Sequence, residues 1–376
     1  MKIGIDISQV IFFGTGVGNY TENLVKSLLE NKNNHEFVIF GSSLRRKNDL
    51  IKFWNTINIV NSAKNKFISC PPLLLELLWN RVHSCKIENI TGKIDLFHTS
   101  DWLEPPSNCP KVTTIHDLVV LKFPDNLHPR IKNNQIRRLN WVKKEDKKII
   151  TDSYATKQDI IDLLKIPEEK IKVVYLAPRK EFKRENMVLK EEVIKEKYGL
   201  IKPYFLSVGT REPRKNLKNA VIAYNNFSKK NQIQYVIAGN FGWGKDITPN
   251  GNIKLIGYVP NDELALLYQG AVCLIYPSLY EGFGLPVLEA QSMGCPVISS
   301  DKGSLKEVLG KSALIVKDPN NPEKITEAME EIYSIYETNK YDKMIQDGIE
   351  FSKNFSWDKT VKKTLEIYKE VVENNN

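Results

Sequence analysis

Two glutamates flank a glycine- and proline-rich turn in the stretch SLYEGFGLPVLEAQSMGCPVISS, residues 278–300. Glu281 stands before the turn and Glu289 after it, with seven residues between them. Because Pro286 suits the first turn of a helix, the pattern predicts a helix whose N-terminal amides, in residues 282–285, point outward. The amides and the dipole of such a helix favour a phosphate group. The two carboxylates could border that anion and accept paired hydroxyl groups, as on a ribose or another sugar.

A second stretch supplies positive charge to match a phosphate. In SVGTREPRKNL, residues 207–217, an apolar strand ends at Gly209, and the loop after it carries Arg211, Arg214 and Lys215. Cations at the rim of a strand suit phosphate oxygens. Taken alone, such a loop is more simply explained as a solvent-exposed basic loop.

Three glycines, at 14, 16 and 18 in FGTGVGNY, lie between an apolar strand and a helical segment. They let the backbone approach a ligand and direct amides at an anion. The spacing G-x-G-x-G differs from the G-x-G-x-x-G of dinucleotide-binding proteins, and no acidic residue follows at the expected distance. A nicotinamide-dependent oxidoreductase is therefore disfavoured, and a tight strand–helix turn remains an equal interpretation of the glycines.

His116 and Asp117 end the apolar strand of TTIHDL, residues 113–118. Polar side chains at the carboxyl end of a strand stand where α/β proteins build their sites. A structural hydrogen bond is the alternative for such a pair. No second histidine or carboxylate stands at ligand spacing, and the chain contains no Asp-x-Asp pair, so the sequence predicts no metal site.

Short apolar strands alternate with amphipathic helical segments, which predicts βαβ units and mostly parallel, doubly wound sheets. In the first half the predicted strands are residues 2–8, 36–40, 94–99, 111–117, 147–153 and 171–175, and the helices 19–30, 130–146 and 156–164. After a Lys/Glu-rich stretch from Pro178 to Gly199 the pattern restarts, with strands 204–209, 234–239, 252–258, 273–278, 296–300 and 312–316 and helices 216–230, 261–270 and 286–294. Residues 355–373 form a terminal helix. Two α/β domains are predicted, and because ligands bind at the carboxyl ends of strands, the natural site is the cleft between them.

Composition limits the class of protein. The 376 residues carry a formal net charge of +9, with a pI near 9.0, which suits anionic partners. Nucleic acid is disfavoured, because no RNA-binding signature appears. Five widely spaced cysteines and the lack of a long apolar run predict a cytosolic protein without disulfides or a membrane-spanning helix.

The segment 42–93 gives no recognisable motif, but it is basic and contains the apolar run PPLLLELLW at 71–79. A second basic run lies between residues 130 and 148. Such charge runs are most often solvated helix faces. The functional alternative is an edge that rests on anionic lipid headgroups.

Together the motifs resemble the retaining GT-B glycosyltransferases of family 4, also called group 1. E-G-F-G-L-P-x-x-E-A resembles the family's E-x7-E motif, and GTGVGNYTENL, the HDL strand, GTREPRKNL and GYVPNDELALLYQGA follow in the family's order and spacing. The GTREPRKNL form is similar to the mannosyltransferase-like branch. The resemblance implies two Rossmann-like domains facing across a cleft. They are an N-terminal acceptor domain (1–178) and a C-terminal nucleotide-sugar donor domain (179–355), with a C-terminal helix (356–376) packing back on the first.

The resemblance also implies roles for particular residues. Glu289 would hold the ribose hydroxyls and Glu281 hydroxyls of the transferred sugar, while Lys215 with Arg214 or Arg211 would neutralise the departing diphosphate. Further donor contacts would come from Gly16, Gly209, Tyr258, Val259, Gly282, Phe283, Gly284 and Leu285. The acceptor side would hold Gly18, His116 and Asp117. The predicted catalytic residues are His116, Glu281, Lys215 and Arg214.

These assignments predict transfer of a hexose, with mannose favoured, from GDP-mannose or a UDP-sugar to a glycan or lipid-linked glycan. The setting would be bacterial O-antigen, capsule or other surface-polysaccharide synthesis. No metal is required, because cations and a helix N-terminus can stabilise the diphosphate. Retention would follow from attack on the face from which the diphosphate leaves.

Two alternatives keep the same fold. One is a UDP-sugar-dependent hexosyl- or N-acetylhexosaminyltransferase, and the more remote one is a non-catalytic sugar-nucleotide-binding protein. The predicted location is the cytoplasm, with peripheral contact at the inner face of an anionic membrane as a further hypothesis.

Overall fold

The computed structural model describes residues 1–375 except 58, 61, 183, 185–190, 202, 244–246, 249 and 250. The chain divides into two compact units. Unit 1 comprises Met1–Leu176 and Trp357–Asn376, and unit 2 comprises Ala177–Ser356. Each unit contains one parallel sheet with its connecting helices, so the predicted α/β fold with two domains is confirmed.

The sheet of unit 1 has seven described strands, all parallel: β1 (Lys2–Asp6), β2 (Glu36–Ser42), β3 (Ser62–Ile68), β4 (Leu96–Thr99), β5 (Lys111–Ile115), β6 (Lys148–Thr151) and β7 (Ile171–Val173). Their order across the sheet is β3-β2-β1-β4-β5-β6-β7. The direction of winding reverses between β1 and β4, and ligands of open α/β sheets bind at the carboxyl ends of strands beside such a reversal.

The sheet of unit 2 has six described strands: β8 (Tyr204–Val208), β9 (Gln234–Ala238), β10 (Ile253–Gly257), β11 (Cys273–Tyr276), β12 (Val297–Ser299) and β13 (Ala313–Ile315). The order is β10-β9-β8-β11-β12-β13, again parallel throughout. Here the winding reverses between β8 and β11. The two loops that follow these strands are those in which the sequence places most of its charged candidates.

Helices connect the strands. In unit 1 they are α1 (Gly16–Glu30), α2 (Lys47–Thr56), α3 (Pro72–Leu75), α4 (Glu88–Thr91), α5 (Val119–Lys122), α6 (Pro129–Glu145) and α7 (Tyr154–Asp159), with π-helical segments at Glu76–Val82 and Ile160–Leu164. Unit 2 contains α8 (Glu191–Tyr198), α9 (Leu217–Phe227), α10 (Asn261–Gly270), α11 (Leu285–Ser292), α12 (Leu305–Val308), α13 (Pro322–Ser334) and α14 (Asn339–Ser352). The last helix, α15 (Trp357–Glu373), returns to unit 1. The predicted connector from Pro178 to Gly199 lies partly outside the described residues, and its described helix is α8.

Burial explains why most strands were predictable. In β2, β4, β5 and β9 nearly every residue is buried, and strands covered on both faces read as continuous apolar runs. β3 differs, because it lies at the edge of the sheet and most of its residues are exposed or half-buried. Its sequence SAKNKFI therefore carries no strong strand signal, and no strand was predicted there.

The C-terminal helix α15 packs against α1 and β4, which confirms that it packs back on the first domain. Its buried face includes Trp357, Val361, Ile367 and Tyr368. The Tyr368 hydroxyl lies 2.5 Å from Nδ1 of His98, a buried residue of β4. The helix thus completes the core of unit 1 although it follows unit 2 in sequence.

One cation of the basic run between residues 130 and 148 is not on a solvated face. Arg138 of α6 is only 1% exposed. Its guanidinium donates hydrogen bonds to the backbone oxygens of Ser100 and Thr114 and to the hydroxyl of Thr113. Arg138 therefore holds together the carboxyl ends of β4 and β5, beside which the candidate residues of unit 1 lie.

Candidate active site

The candidate residues of unit 2 lie at the carboxyl ends of β8 and β11, the neighbouring strands between which the winding reverses. After β8, Gly209 adopts a positive φ of 132°, and residues 213–215 form a short 3-10 turn that carries Arg214 and Lys215. After β11, the chain passes through Glu281 and enters α11. The sheet topology thus brings together two loops that lie far apart in sequence.

Lys215, Arg214 and Glu281 form one ion-pair cluster. Lys215 Nζ lies 2.8 Å from Glu281 Oε1 and donates to the Tyr276 hydroxyl at 2.5 Å. Arg214 lies 2.9 Å from Glu281 Oε2, and a second guanidinium nitrogen pairs with Glu212. The side chains of Arg214, Lys215 and Glu281 are only 8–13% exposed. The sequence-predicted catalytic groups of unit 2 are therefore in direct contact.

Burial and charge act against each other in this cluster. Burial raises the pKa of Glu281, but Arg214 and Lys215 outweigh it and lower that pKa to about 2. The pKa of Lys215 is lowered, because burial and the neighbouring Arg214 outweigh the attraction of Glu281. Glu281 is thus a fixed negative charge that keeps two cations side by side. Such a pair of cations suits the oxygens of a phosphate or diphosphate.

The helix α11 begins beside this cluster. Gly284 is its N-cap residue and has a φ of 98°, a conformation that glycine adopts readily. A side chain there would also meet Leu305 at 2.8 Å. The first backbone bond of the helix runs from Val287 N–H to Gly284 O, so the amides of Gly284 and Leu285 precede the intrahelical ladder. This is the helix N-terminus expected from the glycine–proline turn.

Phe283 and Gly282, the other residues of the turn, present no side chain to a ligand. Phe283 is 5% exposed, and its ring lies 6.1 Å from the ring of Phe355. Gly282 is buried. Any contact that these two residues make with a donor would therefore come from their backbones.

Glu289 is buried in an ion pair and does not stand open at the border of the helix N-terminus, as the turn suggested. It is 2% exposed, and both of its carboxylate oxygens accept hydrogen bonds from Arg179, at 2.8 and 3.1 Å. A third nitrogen of Arg179 donates to the Asn261 side chain at the start of α10. The predicted ribose-binding carboxylate is thus part of a buried bidentate ion pair that spacing along the chain did not reveal.

Of the other donor-side candidates, Arg211 is half-buried and Tyr258 is exposed. Arg211 pairs by its backbone with Phe241 across the sheet edge, and its guanidinium lies 5.6 Å from the Phe241 ring. Tyr258 is 47% exposed, whereas the next residue, Val259, is 6% exposed. These residues lie just after β8 and β10, so the carboxyl edge of the sheet carries them too.

In unit 1, His116 lies immediately after β5 and pairs with Asp152, which follows β6. His116 Nδ1 donates to Asp152 Oδ2 at 2.6 Å, and the Tyr20 ring packs edge-on against the imidazole with 4.5 Å between ring centroids. Burial alone would lower the pKa of His116, but Asp152, with help from Asp101 and Asp117, raises it to about 9. His116 is therefore an imidazolium at neutral pH.

A small cavity of about 20 Å³ lies beside His116 and is also lined by Asp6, Tyr20 and Asp101. It has room for about one water molecule or one hydroxyl group. Asp117 does not line this cavity; its carboxylate accepts a hydrogen bond from Val119 N–H at 3.0 Å and so shapes the turn into α5.

The two glycines predicted as ligand contacts have different surroundings, and both lie in the first turn of α1 rather than in a loop before it. Nothing lies within 4 Å of the position that a Cβ of Gly16 would occupy. A Cβ on Gly18 would meet the backbone oxygen of Phe12 at 2.6 Å. Thr15 caps the helix by accepting from Gly18 N–H. Gly18 is thus explained by close packing, and Gly16 leaves an open surface at a helix N-terminus.

Arg179 and Asp152 were not predicted as site residues. Asp152 lies at the carboxyl end of a predicted strand (147–153), as His116 does in strand 111–117, so its position at the carboxyl edge was a usable signal. The sequence contained no comparable signal for Arg179, because its partner Glu289 stands 110 positions away. Within the described ranges, no group of three or more His, Cys, Asp or Glu side chains could hold a metal ion.

Two α/β units of parallel strands, with charged groups at the carboxyl edges of their sheets, define the GT-B architecture. Residues 14–177 match the family described as Glycosyltransferase Family 4, and residues 190–374 match the family described as Glycosyl transferases group 1. The chain is 30% identical to the Escherichia coli protein named O-antigen chain mannosyltransferase B, over 98% of this chain and 100% of that protein. The chain therefore belongs to the family 4, or group 1, glycosyltransferases.

Solved structures share the fold. A glycosyltransferase from Rickettsia africae superposes with a TM-score of 0.70 at 21% identity and covers 99% of each chain. Anabaena HepE, solved in complex with UDP and glucose, superposes with a TM-score of 0.71 at 14% identity, over 98% of this chain and 100% of that one. In the part of the chain that the structure describes, no helix is both long and apolar enough to cross a membrane.

Proposed function

We propose that this chain is a retaining, metal-independent mannosyltransferase. It moves mannose from GDP-mannose to a glycan or lipid-linked glycan during synthesis of a bacterial surface polysaccharide such as O-antigen. The observation that carries the proposal is the buried cluster of Lys215, Arg214 and Glu281 beside the N-terminus of α11. The full-length likeness to a protein named as an O-antigen mannosyltransferase favours mannose and this setting.

The cluster suits the chemistry of the leaving group. When the bond between the anomeric carbon and the diphosphate breaks, its electron pair stays on the diphosphate oxygen. Lys215, Arg214 and the amides at the start of α11 stabilise that added charge, which is the role a metal ion has in other transferases. Because Glu281 holds Lys215 and Arg214 in place and their side chains are only 13% exposed, these cations need little reorganisation during the reaction.

The acceptor hydroxyl oxygen then bonds to the anomeric carbon on the face from which the diphosphate departs, and its proton passes to the diphosphate oxygen. Attack on that face retains the anomeric configuration, and no carboxylate nucleophile is required. Unit 2 binds the donor, with Glu281 contacting hydroxyls of the transferred sugar. In unit 1, His116 shapes the acceptor site.

A transfer assay tests this proposal. Purified protein is incubated with GDP-mannose and a lipid-linked glycan extract, with and without EDTA, and the anomeric configuration of the product is read by NMR. We expect GDP release that depends on acceptor, survives EDTA and gives a product with the configuration of the donor. Inversion, or loss of activity in EDTA, contradicts the mechanism.

A UDP-sugar is the second candidate donor, because the structurally similar HepE was solved with UDP and glucose. The same assay with UDP-hexoses and UDP-N-acetylhexosamines separates the two donors. If no nucleotide sugar is consumed with any acceptor although binding occurs, the remote alternative of a non-catalytic sugar-nucleotide-binding protein is supported instead.

For the acceptor we propose a glycan presented at the cytoplasmic leaflet of an anionic membrane. Three leucines of the apolar run 71–79, which the sequence suggested for lipid contact, are 42–59% exposed: Leu73, Leu74 and Leu77. Val82, 60% exposed, follows on the same segment, and exposed cations lie on it and on α6, including Arg81, Lys86, Arg130, Arg137, Lys143 and Lys144. Exposed leucines among cations suit the interface of an anionic bilayer.

Vesicle sedimentation tests this contact. At low salt we expect the protein to bind vesicles with anionic lipid, to lose binding at high salt, and to bind more weakly after Leu73→Ser with Leu77→Ser. Leu163→Ser is the matched control, because Leu163 is 43% exposed elsewhere in unit 1. Failure of the wild type to bind anionic vesicles at low salt removes the support for membrane contact.

A further inference from the structure

The pair of Arg179 and Glu289 is built as a fixed unit. Arg179 is 7% exposed and Glu289 2%, and two parallel N–H···O bonds of 2.8 and 3.1 Å join them. Bidentate pairs of guanidinium and carboxylate fix orientation as well as distance. The Phe182 ring packs against the guanidinium, 4.5 Å away, and so limits its movement.

Arg179 also reaches a second element of the predicted donor site. One of its nitrogens donates to the side chain of Asn261, the first residue of α10. Asn261 follows residues 258–260, and the family resemblance places Tyr258 and Val259 of that segment among the donor contacts. One side chain therefore connects the carboxylate predicted to hold the ribose with a second segment predicted to contact the donor.

A buried carboxylate needs such a partner. Glu289 is only 2% exposed, and a buried carboxylate without a partner is strongly disfavoured. A carboxylate has about four lone-pair positions, and the guanidinium uses two of them. The hydroxyl of the buried Tyr268 also interacts with Glu289, and it must move before the neighbouring hydroxyl groups of a ribose can take the remaining positions.

We propose that Arg179 is a positioning residue for the donor ribose: its bidentate pair with Glu289 orients the carboxylate so that the remaining lone pairs accept the 2′- and 3′-hydroxyl groups. The inference rests on the proposed function, because it requires that unit 2 bind a nucleotide through Glu289. The inference assigns to Arg179 a role that it performs through Glu289, without contacting the sugar itself.

The test compares nucleotides that do and do not carry the ribose hydroxyls. Affinities of GDP and 2′,3′-dideoxy-GDP are measured by calorimetry, with UDP and 2′,3′-dideoxy-UDP as a second pair, for the wild type and Arg179→Gln. In the wild type, loss of two hydroxyls that donate to a carboxylate should weaken binding by about 10- to 100-fold. In Arg179→Gln this ratio should fall to about 3-fold or less, because Glu289 no longer presents fixed acceptors.

Tyr224→Phe is the matched control for lost stability. The Tyr224 hydroxyl is buried in unit 2 and donates to Ile233 O at 2.6 Å, away from Glu289. We expect Tyr224→Phe to keep the full ratio between ribose and dideoxyribose nucleotides. If Arg179→Gln does not fold, Arg179→Lys retains the positive charge without the bidentate geometry and should give a reduced ratio.

The outcomes separate the inference from the function beneath it. If Arg179→Gln or Arg179→Lys keeps the full wild-type ratio, Arg179 has only a structural role and the inference is wrong, while Glu289 keeps its assignment. If the wild type binds both nucleotides of a pair equally, Glu289 does not hold the ribose and the inference is wrong. This result would not contradict the proposed transferase activity. If the wild type binds neither GDP nor UDP, the proposed donor site itself is wrong.

Discussion

Glu281 shows how single residues of unit 2 are prepared for a charged ligand. Its carboxylate is 6% exposed and contacts both Lys215 and Arg214, so its own charge is fixed while it holds two cations in place. The lowered pKa of Lys215 shows how strongly burial acts on this cluster. Any change that removes the negative charge leaves two buried cations without their shared counter-ion, which is costly.

Replacing Glu281 with glutamine should therefore reduce transfer rather than binding alone. Without the carboxylate, burial and Arg214 lower the pKa of Lys215 further, and the cations are no longer held in place for the leaving diphosphate. We expect kcat to fall by about 100- to 1,000-fold, with a smaller change in KM. Steady-state kinetics with GDP-mannose measure both constants. Glu350→Gln, which breaks an exposed ion pair with Lys353, should leave them unchanged, and a Glu281→Gln enzyme within about threefold of the wild type contradicts the assigned role.

His116 gives a prediction of pH dependence. Its pKa in the folded state is raised to about 9 by Asp152, above the value near 6.5 expected for the unfolded chain. The stabilisation from this pair is therefore complete below pH 6.5 and is lost as the pH rises through 9, by about 3 kcal/mol in all. Asp152→Asn should remove that dependence and lower the pKa of His116 by about 1–3 pH units, because burial then acts with less opposition.

Proton NMR can follow this titration, since the chain has only five histidines. The Asp125→Asn variant changes an exposed carboxylate and should leave the His116 titration in place. A wild-type His116 that titrates at or below 6.5 would show that Asp152 does not hold it as a cation.

At the scale of elements, the starts of two helices decide which backbone groups face a ligand. The helix α1 begins at Gly16, with Thr15 as its cap, and α11 begins after Gly284. Each helix has a glycine at its start. The two glycines of α1 differ in their surroundings: a side chain on Gly18 would clash with the backbone of Phe12, whereas a side chain on Gly16 would meet no atom of the chain.

Alanine at the two positions of α1 should separate packing from ligand contact. Gly18→Ala places a Cβ 2.6 Å from Phe12 O and should destabilise the protein by about 1–3 kcal/mol. Gly16→Ala has room and no positive φ, so it should change stability by less than about 1 kcal/mol. If Gly16 lies against a bound phosphate or sugar, as the family resemblance implies, its variant should nevertheless lose most activity. Denaturant unfolding and transfer assays measure the two effects, and full activity in Gly16→Ala would exclude that contact.

The sequence predicted elements better than it predicted side-chain pairs. Buried strands and the helix N-terminus after Glu281 have local signals, namely apolar runs and a glycine–proline turn. The edge strand β3 lacks such a signal, because exposed positions in SAKNKFI are free to be polar. The pair of Arg179 with Glu289 depends on how the chain folds back over 110 positions, and no spacing rule encodes it. For His116 and Asp152, 36 positions apart, the carboxyl edge of a parallel sheet brings the partners together.

At the scale of the whole molecule, the chain crosses twice between its two units. It leaves unit 1 near residue 176, forms unit 2, and returns at Trp357 to complete the core of unit 1 with α15. The hydrogen bond between Tyr368 and His98 lies inside that core, and burial lowers the pKa of His98 to about 3, so the imidazole stays neutral. The last segment of the chain therefore contributes part of the core of unit 1.

Removal of α15 should accordingly disrupt unit 1. The helix buries Trp357, Val361, Ile367, Tyr368 and Val371, and each large apolar side chain contributes about 1.5–3 kcal/mol when buried. Their sum is comparable with the stability of a typical domain, so a chain that ends at Ser356 should lose hydrogen-exchange protection in α1 and β4. Removal of only the last three residues serves as the control. Full protection of α1 and β4 in the shorter chain would contradict this account of the fold.

The central claim is that unit 2 binds a nucleotide sugar, with GDP-mannose favoured, without a metal ion. Its most direct test is the melting temperature of the purified protein with GDP-, UDP-, ADP- and dTDP-sugars, each with and without EDTA. At about 100 times its Kd, a donor should add about 2.7 kcal/mol of stability, which is visible as a rise of several degrees. We expect GDP-mannose to give the largest rise, unchanged by EDTA and absent in Glu289→Ala. No rise with any nucleotide sugar would contradict the claim, and a rise abolished by EDTA would contradict its metal-independent form.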